Sequence, residues 1–184
     1  MKKPYVIVLT GASSVGKKPI VKALLEDKEL DLNYCKSLTT RPKREDEIDG
    51  QDYFFISHDS FVKEVKEKKI LEYTEFNGYY YGTSREQIEF LLSIGKNVLI
   101  DVEAQGVGQI KLILPEALCV FVEPSSMEDL EQQIRDRYND NEFSMKHRIN
   151  KAKMEMELLP LFRHTVKVDN VNEAVEDIKR FVAE

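Results

Sequence analysis

The stretch from Tyr5 to Leu25, YVIVLTGASSVGKKPIVKALL, limits what this chain can fold into more than any other. Tyr5 to Thr10 is a short β-branched run bounded by a glycine and reads as a buried strand, while Lys17 to Leu25 spaces its apolar residues as a helix does. Between them, Gly11, Ala12, Ser13, Ser14, Val15, Gly16 and Lys17 carry the G-x-x-x-x-G-K spacing. In such a turn backbone N–H groups curl round a polyphosphate, the Lys reaches its outer phosphates, and the next helix points its positive end at the same place. The pattern ordinarily continues with Ser or Thr, whose hydroxyl ligates Mg²⁺. Here Lys18 and Pro19 follow. Proline fits a first helical turn but lacks an N–H, so one phosphate donor is lost, and Lys18 puts positive charge where a metal ligand is expected.

A chain of 184 residues with 42% hydrophobic and 33% charged content suits one soluble domain, or one core with a small insertion. A net charge of −6 and a pI near 5.3 argue against general nucleic-acid binding, so any basic site must be local. Cys35 and Cys119 lie outside any CxxC or ligand cluster, which predicts reduced thiols in a cytoplasmic protein. No leader-like segment or long apolar run is present, so neither export nor membrane insertion is expected.

Further along, Asn33 to Thr40 reads as extended, and Arg41, Lys43 and Arg44 form a basic cluster ahead of an Asp49-Gly50 turn and the aromatic run Tyr53 to Phe55. Taken alone that cluster is a solvated loop; after a phosphate loop it suits a second anion. Asp59 to Lys69 reads as an amphipathic helix. Ile70 to Ser84 alternates as a hairpin about Asn77-Gly78, with Glu72, Glu75, Tyr79, Tyr81 and Thr83 as its polar positions. Arg85 to Ile94 is helical; Asn97 to Val102 is a strand ending in Asp101 and Glu103, where a strand-end Asp either handles a metal or caps the helix running to Leu114. Ala117 to Val122 is another apolar strand, and Ser125 with Glu128 has capping-box spacing. The charged stretch Glu131 to Lys153 reads as two helices joined at Asn139 to Glu142, either a mobile lid carrying arginines or a solvated hairpin. Met154, Met156, Leu158 and Leu159 read as core, and His58, His147 and His164 as surface. Thr165 to Val168 and Val171 to Val182 close the chain as strand and helix. The alternation predicts an α/β fold with a parallel sheet, helices on both faces, and ligands beyond the carboxyl ends of the strands.

Three separated segments, SLTTRPKREDEIDGQDYFF, LEYTEFNGYYYGT and LIDVEAQG, resemble the guanylate kinases in order and nearly in spacing. The resemblance spans nearly the whole chain. It implies a phosphate-loop kinase core over 1–34, 85–125 and 150–184, a GMP-binding mixed β-sheet inserted over 35–84, and a helical lid over 126–149. It implies transfer of the γ-phosphoryl group of ATP to GMP, giving ADP and GDP, with Mg²⁺ as cofactor and a place in purine nucleotide metabolism. Carried over by position, it assigns the GMP phosphate to Arg41, Arg44, Tyr53 and Tyr81, and guanine to Ser37, Glu72, Thr83 and Asp101. It assigns ATP to Gly11 through Lys18, and catalysis to Lys17, Arg41, Arg137 and Arg148, without assigning a metal ligand.

The departures fall on the ATP side. Ser14 stands where the family usually has glycine, Lys18 and Pro19 replace small and hydroxyl residues, and Gln133 replaces a lid arginine near Arg135. Two readings follow: an active kinase with an altered loop, or a weak or inactive relative that binds GMP or a phosphorylated partner. The expected partners are ATP and GMP, with no nucleic acid and no membrane; the sequence leaves the oligomeric state open.

Overall fold

The structure, a computed structural model, describes residues 3–184. The elements run β1 (Val6–Gly11), α1 (Lys18–Glu26), β2 (Leu32–Cys35), β3 (Ser37–Thr39), β4 (Phe54–Phe55), α2 (His58–Lys66), β5 (Ile70–Phe76) and β6 (Tyr79–Ser84). They continue with α3 (Arg85–Ser93), β7 (Asn97–Asp101), α4 (Val107–Ile113), β8 (Leu118–Glu123), α5 (Met127–Arg137), α6 (Glu142–Met156), β9 (His164–Lys167) and α7 (Val171–Ala183).

Five parallel strands form the central sheet in the order β2-β7-β1-β8-β9. Because side chains alternate along a strand, β1 feeds two cores. Ile7 and Leu9 pack with α1, α5, α6 and α7 on one face, whereas Val6 and Val8 pack with Ile88 of α3 and Val107 and Ile110 of α4 on the other. With β1 between β7 and β8, the chain leaves in opposite directions on its two sides, which opens a crevice at the carboxyl ends of these strands.

A second sheet, β4-β3-β6-β5, is mixed, with β3-β4 parallel and the other pairs antiparallel. Phe61 of α2 is buried beneath it against Tyr73 and Tyr80. The β5-β6 hairpin turns at Asn77 and Gly78, both with positive φ (51° and 80°), as a tight two-residue turn requires.

Four local expectations are corrected. The extended run Asn33 to Thr40 is two strands in different sheets, broken at Lys36, whose N–H and carbonyl are both held by the Gln87 side chain at 3.0 and 3.1 Å. The cap of α5 is Ser126, not Ser125; its Oγ accepts from the Asp129 N–H. Met154 is 68% exposed, because the buried stripe of α6 is Met145, Ile149 and Ala152. His164 is half-buried rather than freely exposed: its ring packs on Phe181 and bonds Glu184 at 3.0 Å.

Candidate active site

The loop after β1 forms one wall of a cleft of about 1150 Å³ at the carboxyl ends of β1 and β7. Gly11 must be glycine, because a Cβ there would sit 2.8 Å from the Val122 carbonyl oxygen. Gly16 adopts φ +94° and Ser14 φ +67°. For serine the left-handed region is strained, by about 1–3 kcal/mol. Ser14→Gly is therefore expected to raise stability by up to about 1 kcal/mol, measured as a shift of the urea midpoint at constant m-value. The Lys17 ammonium pairs with Asp101 Oδ1 and lies 3.4 Å from the Val102 carbonyl. Lys18 is exposed on the cleft rim, and Pro19 sits in the first turn of α1.

The opposite wall comes from the second sheet. Cross-strand register sets Ser37 beside Thr83 and Thr83 beside Glu72 in one row. A register shift between Ile70 and Glu72 re-aims the strand, so that Glu72 is only 5% exposed. Thr83 Oγ1 donates to Glu72 Oε1 at 2.6 Å, and Gly106 gives the carboxylate room, since a Cβ there would lie 2.5 Å from Oε2. Burial pushes the Glu72 carboxyl up to about 7; the Thr83 bond opposes that rise and Glu103 adds to it. Thr83 lies behind Glu72, itself fully buried.

Arg41, Tyr53 and Tyr81 form a cluster on the same wall. The Arg41 guanidinium lies 5.5 Å from the Tyr53 ring centre, which is 6.1 Å from that of Tyr81. Glu47, which sequence reasoning missed, grips Arg41 with both oxygens at 2.7 and 3.0 Å and accepts the Arg44 N–H at 2.8 Å. These bonds hold Glu47 down at about 2. Another Arg41 N–H goes to the Pro42 carbonyl, so Glu47 and Pro42 take three of its five donors, and the Tyr81 hydroxyl stands beside the guanidinium as a further hydrogen-bond partner. Among the described residues the Arg44 and Arg137 guanidinium groups have no ion pair.

Helix α6 and its approach close the top. Arg148 pairs with Asp140 at 2.6 Å and lies 3.7 Å from the Tyr138 ring centre. Lys151 reaches both oxygens of Glu103 at 3.3 Å and sits 4.3 Å from the Phe76 ring centre at the hairpin tip. Asp101 caps no helix; it lines the same cleft as Glu72 and meets Lys17. Tyr34, Glu47, Phe76, Tyr138, Lys151 and Glu155 also line the cleft. Only Lys151 and Glu155 left a sequence signal, falling three and seven residues after Arg148 on one helical face.

The donor set does not fit a protein-held Mg²⁺. Lys18 and Pro19 offer no hydroxyl, Asp101 and Glu103 are each engaged by a lysine, and no group of three or more His, Cys, Asp or Glu among the described residues can hold a metal. A larger groove of about 1580 Å³ lies at the amino ends of the strands, lined by residues such as Tyr5, Leu118 and Phe162. Its cations are already engaged: Lys3 by Glu116, Arg163 by Glu184, Lys179 by Asp27 and Glu29, and Lys111 by the Ala117 carbonyl.

The family model described as guanylate kinase matches residues 1–184. The chain is 41% identical over 177 residues to a guanylate kinase of Prochlorococcus marinus (96% of this chain, 95% of that one). It is 36% identical over 181 residues to that of Bacillus subtilis, covering 98% and 89%. The crystal structure of guanylate kinase from Anaplasma phagocytophilum shares the fold, with TM-score 0.77 at 24% identity over 100% of this chain and 87% of that one. A phosphate loop facing a basic, tyrosine-lined wall, on a sequence that matches throughout, means that this chain belongs to the guanylate kinase family.

Proposed function

We propose that the protein transfers the γ-phosphoryl group of ATP to GMP, giving ADP and GDP. The observation that carries this reading is one cleft lined both by the Gly11 to Lys17 loop and by Arg41, Arg44, Tyr53, Tyr81 and Glu72. ATP lies along the loop, its phosphates taking the N–H groups and Lys17. GMP lies on the other wall. Arg41 and Arg44, with the two phenols, hold its phosphate, and the Glu72 carboxylate accepts from N1–H and the 2-amino group of guanine. Adenine has an unprotonated N1 and no 2-amino group, so it would leave that buried carboxylate unpaired. The attacking phosphate oxygen is already anionic, which removes the need for a general base. Rate then comes from alignment and from Lys17, Arg41, Arg137 and Arg148 neutralising charge as it spreads over the transferred group.

Mg²⁺ accompanies ATP in such reactions, yet no step here is assigned to a metal held by the protein. The second reading, a weak or inactive GMP-binding relative, is favoured by one feature: the strained Ser14 and the Lys18-Pro19 pair lie on the ATP side alone.

A coupled assay of GDP formation decides between them. Turnover from ATP and GMP well above a Lys17→Ala control is expected, and its absence would remove the kinase reading. Replacing Lys18→Ser and Pro19→Thr together is expected to raise kcat by about tenfold or more, the order of one restored charge-assisted contact. An unchanged kcat would show that the altered loop does not limit the chemistry.

A further inference from the structure

We infer that Glu155 is a positioning residue for the phosphate side of the cleft, fixing the curl of the loop through Ser13 and tying it to the helix that carries Arg148 and Lys151. Glu155 lies in the last turn of α6 and is only 4% exposed. Its Oε1 accepts from Ser13 Oγ at 2.6 Å and from the Ser13 N–H at 3.3 Å. Its Oε2 is buried and has no hydrogen-bond partner among the described residues. The fold gains nothing from an acid here: Met145, Ile149 and Ala152 already fill the interior under α6, and a buried carboxylate with an unpaired oxygen costs free energy. Among the described residues the only other buried acid is Glu72, which lines the same cleft.

Two neighbouring features say what this arrangement does. Ser13 directly precedes Ser14, the loop residue forced to φ +67° without a glycine's freedom, so a carboxylate gripping the N–H and the hydroxyl of Ser13 holds the strained turn from outside. Along α6, Arg148, Lys151 and Glu155 form one stripe that meets Tyr138 and Asp140, then Glu103 and Phe76, then the loop. A helix shift that moves Arg148 therefore also pulls on Ser13. The loop's shape and the placement of the lid cation are set together.

This inference rests on the kinase reading for its ATP arm, and its test separates the two. Glu155→Gln keeps the volume and one acceptor, Ser13→Ala removes the partner, and thermal melts confirm that both variants fold. In nucleotide-free protein, amide hydrogen exchange across residues 11–17 is expected to quicken about tenfold in each variant. Calorimetry is expected to show ATP affinity falling about tenfold in each, GMP affinity within twofold of wild type, and the double variant no worse than the poorer single one. Unchanged loop exchange, equal losses for ATP and GMP, or multiplying effects in the double variant would each overturn the role of Glu155. If wild-type protein makes no GDP, the proposed function falls, while the exchange measurement still judges the loop tie.

Discussion

Lys17→Ala is expected to lower GDP formation by about 10³ to 10⁵, the range over which a cation placed on a transferred phosphoryl group affects rate. The structure gives two reasons for an effect at the upper end. The ammonium is the loop's own cation at the base of the cleft, its side chain 17% exposed, whereas Lys18 next to it is exposed to water, where a charge acts more weakly. Removing it also strips Asp101 of its partner, leaving an uncompensated carboxylate where the triphosphate must enter. The loss is therefore expected in both ATP affinity and kcat, with GMP affinity held within a few-fold because the opposite wall is untouched. Single-turnover kinetics with each substrate titrated separately reads this split. A fall of tenfold or less would mean that Lys18 or the α6 cations supply the charge instead.

What the sequence made legible, and what it did not, follows from how local each signal is. The β1-loop-α1 unit could be read because strand period, glycine spacing and helix start all lie within Tyr5 to Leu25 and agree. The hairpin turn at Asn77-Gly78 was similarly self-contained. The break at Lys36 was not, since the side chain that enforces it, Gln87, comes 51 residues later. Glu47 looked like one more acid in a charged loop; only the folded loop turns it back to grip Arg41. Ser13 and Glu155 are 142 residues apart, and their pairing exists only because α6 crosses over the loop. His164 and Met154 went the other way: hydrophobicity alone misjudged them, because the strand-to-helix packing near Phe181 shelters a histidine while the outward turn of α6 exposes a methionine.

Glu72→Gln is expected to reduce kcat/KM for GMP by about 10² to 10³, as two charge-assisted hydrogen bonds to guanine are replaced by one acceptor and one mismatched donor. AMP should lose little, so the preference between the bases collapses. Gly106→Ala should produce a smaller loss of the same kind, because its methyl group takes the space of Oε2. The pH dependence gives an independent check. Burial lifts the Glu72 carboxyl from 4.5 to about 7 in the free protein, and guanine needs the ionised form. GMP affinity should therefore rise with pH by close to a decade per unit between pH 5 and 7 and level off above. The GMP phosphate also titrates near 6, so the difference between wild type and Glu72→Gln isolates the carboxyl. Stability without ligand runs the opposite way. A raised acid keeps its proton in the folded state while the unfolded chain loses it, so this contribution is full below about 4.5 and is lost as pH rises to about 7. Burial raises the Glu155 carboxyl as well, so urea unfolding should show a steeper downward slope in wild type than in Glu72→Gln, and equal slopes in the two would remove Glu72 as a titrating group.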